Sequence, residues 1–210
     1  KDILTSGKLG RVERVTGAFT FQLPMDASNI RLQAGMAGGS LLTKLEKGFR
    51  EFTSAGLVSG PAPRLFGAQA SGCSPIVNLV ERGGDAITPV VPDTIARSIA
   101  IGNPADGRFA AAAIRSSGGW AAAVSDSDLV AGIRLLAEST GVFAETAGGT
   151  TVAAALALAA SGRFRGGDEV VLCITGNGLK TVEALQGSLP EAPLIAPRIR
   201  ELEALHGRDL

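Results

Sequence analysis

Two short stretches carry residues whose type and spacing suit a bound ligand. In "QAGMAGGSLLTKLEKGF", Gly35, Gly38 and Gly39 stand just before apolar residues at Leu41, Leu42, Leu45 and Phe49. That spacing predicts a helix, and glycines ahead of it let backbone N–H groups converge where the helix N-terminus adds partial positive charge, a seat for a phosphate dianion. A tight strand-to-helix turn needs the same glycines, so the loop alone admits either reading. Lys44 follows inside the helix rather than at its start, which excludes a Walker A loop. The second stretch, "VVLCITGNGLK", runs an apolar strand into Thr175 and then through Gly176, Asn177 and Gly178. A hydroxyl at the carboxyl end of a strand stands where open α/β sheets place ligands. It offers one uncharged hydrogen bond, suited to a neutral heteroaromatic nitrogen. Thr175 would serve equally as the cap of a following helix.

The elements around these loops read as α/β, with short apolar strands alternating with alanine-rich or amphipathic helices. Strands are expected at Arg11 to Val15, Arg64 to Gln69 and Glu169 to Thr175, the last apolar enough to be buried on both faces. Helices are expected at Leu41 to Ala55, Asp93 to Ile99, Arg108 to Ser116, Asp126 to Thr140, Gly149 to Ser161 and Leu179 to Leu185. Ser125 with Asp128 forms an acidic variant of the capping box for the fourth, which puts Val130, Ile133, Leu136 and Ala137 on one face. The fifth is small or apolar almost throughout and is expected to be buried. Residues 1–30 hold one weak strand, residues 31–189 the main α/β unit, and residues 190–210 a proline-rich linker and charged surface helix.

Composition narrows the function. The 210 residues carry 20 basic and 20 acidic side chains, a formal net charge of +0, with no basic tract or acidic block. No nucleic acid or anionic membrane is expected as a partner, leaving small molecules or protein. Cys73 and Cys173, with one histidine in the chain, cannot build a zinc site, and no metal is expected. Both cysteines lie in apolar contexts and are expected as buried, reduced thiols. No apolar run approaches the roughly 18 residues of a membrane helix, and no signal-peptide core opens the chain, so a cytoplasmic location is expected.

The blocks "GMAGGSLLTKLEKGF", "GAQASGCSPIV", "PDTIARSIAIGNP", "GVFAETAGGTTVAA" and "VLCITGNGLKT", in this order, resemble threonine synthases. These belong to the tryptophan-synthase-like, fold type II class of pyridoxal-phosphate enzymes. The resemblance runs from about Leu32 to Leu185 and is most specific in "TIARSIAIGNP" and "ITGNGLKT"; "KLGRVERVTGAF" fits more weakly. It implies an open, twisted, mostly parallel sheet flanked by helices, pyridoxal phosphate as cofactor, and conversion of O-phosphohomoserine and water to threonine and phosphate. It further implies that Met36, Ala37, Gly38, Gly39 and Ser40 hold the cofactor phosphate and that Thr175 bonds the pyridine nitrogen. Thr94, Ala96, Gly102 and Asn103 would wall the substrate pocket, with Glu145, Gly148 and Gly149 supporting it from behind. Members that have asparagine after the first loop glycine differ from this chain, which has Met36 there. The family often forms dimers, which admits a homodimer here.

One family segment has no counterpart. The Schiff-base lysine lies in a serine-phenylalanine-lysine-aspartate block that this sequence lacks, so the catalytic residue is unassigned and the chain reads as the carboxyl-terminal part of such an enzyme. Lys1 and Lys8 fit a piece of the smaller domain, Lys44 and Lys47 lie one turn apart on a solvated helix face, and Lys180 follows the ring-nitrogen threonine. Two other readings fit the same fold: a lyase such as a threonine dehydratase or a cysteine synthase, and a noncatalytic binding module.

Overall fold

The computed structural model describes residues 38–189 and 193–206, so the strand expected at Arg11 to Val15 lies outside the described residues. Six helices stand among these residues: α1 (Ser40–Ser54), α2 (Pro75–Arg82), α3 (Gly107–Ser116), α4 (Asp126–Thr140), α5 (Thr146–Ala160) and α6 (Ile199–His206). Two strands, β1 (Gly67–Ala70) and β2 (Ala121–Val124), pair in parallel with Gly67 opposite Ala121 and Ala70 opposite Val124.

The parallel pair is sandwiched because its two faces are both apolar. Ala70 and Val124 point to one side, into a cluster with Ala96, Leu129, Ile133, Ala153, Ala154 and Leu185 from α4, α5 and their neighbours. Ala121 points to the other, into a cluster of Ile76, Val77, Leu79, Val80, Ala110, Ala111 and Ile114 from α2 and α3. At the amino ends of the strands, Arg64 pairs with Asp168, and the Arg163 guanidinium lies 3.8 Å from the Trp120 ring centroid. This ties the loop after α5 to the start of the sheet.

Local sequence explains the helices. Ser125 caps α4, accepting from the Asp128 amide at 3.1 Å while the Asp128 carboxylate accepts from the Ser125 amide at 3.3 Å, which completes the expected capping box. The buried face of α4 is Leu129, Gly132, Ile133 and Leu136, so Val130 and Ala137 fall to its margin. Helix α5 is buried nearly all round, at Thr146, Gly148, Gly149, Thr150, Val152, Ala153, Ala154, Ala155 and Leu158. It crosses α4 at van der Waals distance through glycine. A Cβ on Gly132 would lie 2.5 Å from the Gly149 carbonyl oxygen, and one on Gly149 would lie 2.4 Å from the Leu129 carbonyl oxygen.

Several expectations need correction. Asp93 to Ile99 is not a helix but an extended loop with one 3-10 turn at Arg97–Ile99, because Thr94 and Ile95 bond the Asp126 carboxylate instead of continuing a helical ladder. Leu179 to Leu185 is two 3-10 turns, Gly178–Lys180 and Val182–Leu185. Glu169 to Thr175 belongs to no sheet, and the strand expected at Arg64 to Gln69 begins at Gly67. Helix α5 begins at Thr146, before the glycine where it was expected. Cys173 is exposed, whereas Cys73 is buried and its thiol pKa is raised by that burial.

Replacing Gly149 by valine should drive α4 and α5 apart and destabilise the chain by about 1–3 kcal/mol, the usual result of overpacking a filled interface. Urea unfolding followed by Trp120 fluorescence measures it; an unchanged midpoint would show that the crossing is loose.

Candidate functional site

The expected site residues that the structure describes fall into two sets, each built by its own contacts. The first gathers the end of the glycine loop and the segment Ile101 to Asp106. Gly38 and Gly39 take left-handed φ values of 105° and 83° and turn the chain into α1. Glycine is required for space as well as for φ: a Cβ on Gly38 would lie 2.6 Å from Pro104 Cβ, and one on Gly39 3.0 Å from Ala110 Cβ. The Asp106 amide donates to the Gly38 carbonyl at 3.2 Å, which fastens the loop to the start of α3. Gly39 stands at the N-cap of α1 with no side chain to cap it, Ser40 opens the helix, and the first turn has no acidic residue. The first-turn amides therefore keep their donors for an outside acceptor, an anion above all. Met36 and Ala37 lie outside the described residues.

The segment beneath this loop holds the other expected residues. Gly102 accepts from the Val90 amide at 3.0 Å, and a Cβ there would meet the Val90 carbonyl at 1.9 Å. Asn103 is exposed and lines an open depression of about 400 Å³ with Asp85, Ile87, Pro104 and Arg108. Thr94 donates its hydroxyl to Asp126 at 2.5 Å, and Asp126 also accepts from the Ile95 amide at 3.0 Å. That hydroxyl is committed to holding the loop on α4. Ala96 is fully buried in the core.

The second set gathers the end of the apolar run and the amino end of α5. Leu172 and Ile174 turn inward onto Leu136, Ala144 and Val152, which leaves Thr175 on the exposed side. Asn177, not Thr175, caps the turn that follows, accepting from the Leu179 amide at 2.9 Å. The cap reading of Thr175 is thereby excluded, and Thr175 is exposed. Glu145 lies behind this loop, its side chain 6% exposed, with Oε2 3.1 Å from Lys180 Nζ. A Cβ on Gly176 would fall 1.8 Å from Glu145 Oε1, so the loop backbone lies directly on the carboxylate. Gly148 packs on Ala144 and Ile174, while Gly149 serves the α4 crossing.

Sequence reasoning missed Asp126 as the partner of Thr94, although the capping box around it was visible. It also missed the Lys180–Glu145 pair, for which 35 residues of separation left no local signal.

A pair of left-handed glycines leading into an uncapped helix without first-turn acids fits a phosphate, and the hydroxyl of Thr175 on an exposed loop fits a ring nitrogen. Of the described lysines, Lys47 pairs with Glu51 at 2.5 Å, Lys180 pairs with Glu145, and Lys44 is exposed on α1.

Comparison with known proteins gives this fit a context. A family profile described as "Pyridoxal-phosphate dependent enzyme" matches residues 23–176. A threonine synthase of Methanosarcina acetivorans is 37% identical over 191 residues, covering 90% of this chain and 45% of that protein. One from Methanocaldococcus jannaschii is 38% identical over 71% of this chain and 36% of its own length, and one from Mycobacterium tuberculosis 35% identical over 79% and 42%. The chain thus spans less than half the length of these curated relatives. The solved structure of maize serine racemase superposes with a TM-score of 0.53 at 19% identity, over 73% of this chain and 46% of that one, a likeness of fold.

Replacing Asp126 by alanine should release Thr94 and Ile95 and destabilise the chain by about 1–3 kcal/mol, the range for losing hydrogen bonds to a charged group. Thermal and urea unfolding measure it; stability equal to the parent chain would mean the loop is held by packing alone.

Proposed function

The chain belongs to the pyridoxal-phosphate dependent enzyme family, and from that premise we propose that it is the cofactor-gripping part of a threonine synthase acting on O-phosphohomoserine. The named relatives support this reading, at 35–38% identity over most of the chain. The observation that carries it is the glycine entry to α1, where two left-handed residues lead into a first turn with no side-chain cap and no acidic residue.

Pyridoxal phosphate, when bound, supplies the electron sink that makes carbon-bound protons near the substrate amino group removable. The residues of this chain do simpler work. Gly38, Gly39 and Ser40 would hold the cofactor phosphate through backbone amides and one hydroxyl, aided by the helix dipole. Met36 and Ala37 would complete that loop. The Thr175 hydroxyl would meet the pyridine nitrogen with an uncharged hydrogen bond, where a carboxylate would hold the nitrogen protonated. Gly102 and Asn103 would stand on the substrate side, beside the phosphate seat to which Pro104 joins them. The reaction releases phosphate and adds the elements of water across carbons β and γ of the substrate. The lysine that joins the cofactor covalently and moves protons is assigned to none of the described lysines, since two are ion-paired and the third is solvated on α1.

Two experiments test this. Thr175→Val keeps the shape and removes the hydroxyl, and should weaken binding of pyridoxine phosphate, which has ring and phosphate but no aldehyde, by about 1–3 kcal/mol. Equal affinity would remove Thr175 from the ring site. The 210-residue chain alone should show no sustained phosphate release from O-phosphohomoserine. Steady multiple turnover would instead promote Lys1 or Lys8, with Lys1→Ala the first variant to make.

A further inference from the structure

Residues 175–178 form a loop laid across the amino end of α5. The Glu145 amide donates to the Gly176 carbonyl at 3.0 Å, the Gly178 amide donates to the Phe143 carbonyl at 2.9 Å, and Ala144 bridges Asn177 in antiparallel fashion. Glu145 occupies the N-cap of α5, yet its side chain makes no capping bond. Thr181 takes over part of that duty, its hydroxyl oxygen accepting from the Thr146 amide at 3.2 Å. The Glu145 carboxylate is thus not spent on its own helix. It is buried beneath Gly176 and held from the other side by Lys180, which reaches in from solvent with 63% of its side chain exposed.

We propose that Lys180 is the positioning residue for the Thr175 hydroxyl, acting through Glu145. The inference rests on the reading of Thr175 as partner of a ring nitrogen, and deepens it. A buried carboxylate is tolerable when a counter-charge and hydrogen bonds answer it. Without the ammonium, Glu145 gains by moving toward water past Gly176, whose absent β-carbon is what lets the carboxylate lie there. Thr175 is the residue next to Gly176, so the direction of its hydroxyl is set by whether that carboxylate stays put. Lys180 and Thr181 follow the loop within a few residues and both bind the amino end of α5, so one short segment carries the hydroxyl and the two groups that fasten it.

Amide hydrogen exchange, read residue by residue by NMR on the 210-residue chain, tests this. Lys180→Met should speed exchange of the Gly178 and Glu145 amides by about tenfold or more while Ile114 and Leu129 in the core keep their rates. Lys180→Arg, which keeps the charge, should restore protection. Unchanged exchange at Gly178 in the methionine variant overturns the proposal, as does failure of arginine to rescue it. Should Lys180→Met not fold, the double variant Lys180→Met/Glu145→Gln removes the unanswered charge and should keep the Gly178 amide protected, so fast exchange there also overturns it. Pyridoxine phosphate is titrated in parallel. Shifts of the Thr175 and Gly176 amides in the parent chain that weaken in Lys180→Met support the proposal in full. No shift in the parent chain refutes the ring site at Thr175, and is told apart from failure of the latch by the exchange rates, which need no ligand.

Discussion

The close crossing of α4 and α5 is the constraint on which the rest depends. At Gly132 and Gly149 each helix presents bare backbone to the other, so α5 is fixed in rotation and depth by contacts that no side chain could soften. That fixes Glu145 and Thr146 at its amino end, and these in turn fix residues 175–178. The same helix covers the carboxyl ends of β1 and β2 through Ala153 and Ala154. A small shift of α5 would therefore be felt in the core and at the loop together.

The two sets of candidate residues belong to different layers. Gly39 packs on Ala110 of α3, and Leu42 of α1 joins the cluster of α2 and α3, so the glycine entry to α1 rides on the layer at one face of the sheet. Thr175 and Glu145 ride on α4 and α5 at the other face. The pair β1–β2 is the element common to both. Helix α1 also leaves Leu41, Leu45, Phe49 and Phe52 exposed along one side, a run of apolar surface that the other described elements do not cover.

Much of this was legible in the sequence, and what was not has physical causes. Helices with periodic apolar residues, α1, α3 and α4, could be placed to within a residue, because their signals are local. Helix α2 escaped notice although Ser74-Pro75 opens it and Gly83 ends it, a start and stop that are also local. Strand β2 was missed for a better reason: "AAAV" has little strand propensity, and it is a strand because it lies between two layers of helices beside β1. Asp93 to Ile99 misled in the opposite sense, since its helical spacing lost to the bonds of Thr94 and Ile95 with Asp126. In the site, glycines at left-handed φ could be anticipated from composition. The partners of Thr94 and Glu145 could not, because each is brought in from a distant element.

The run from Glu169 to Thr175 shows how parity decides which side chains are exposed. Its residues are apolar on both sides, which argued for burial on both faces, but only Leu172 and Ile174 find a surface, that of α4 and α5, while Val171 is 74% exposed and Cys173 open. A strand-like segment alternates, so the residue after Ile174 must fall on the open side. A slip of one residue would bury the threonine hydroxyl against Leu136 and Val152, where nothing apolar could answer it. The packing of Leu172 and Ile174 therefore does more than fill the core. It is what turns Thr175 outward, and Glu145 beneath Gly176 then sets how far.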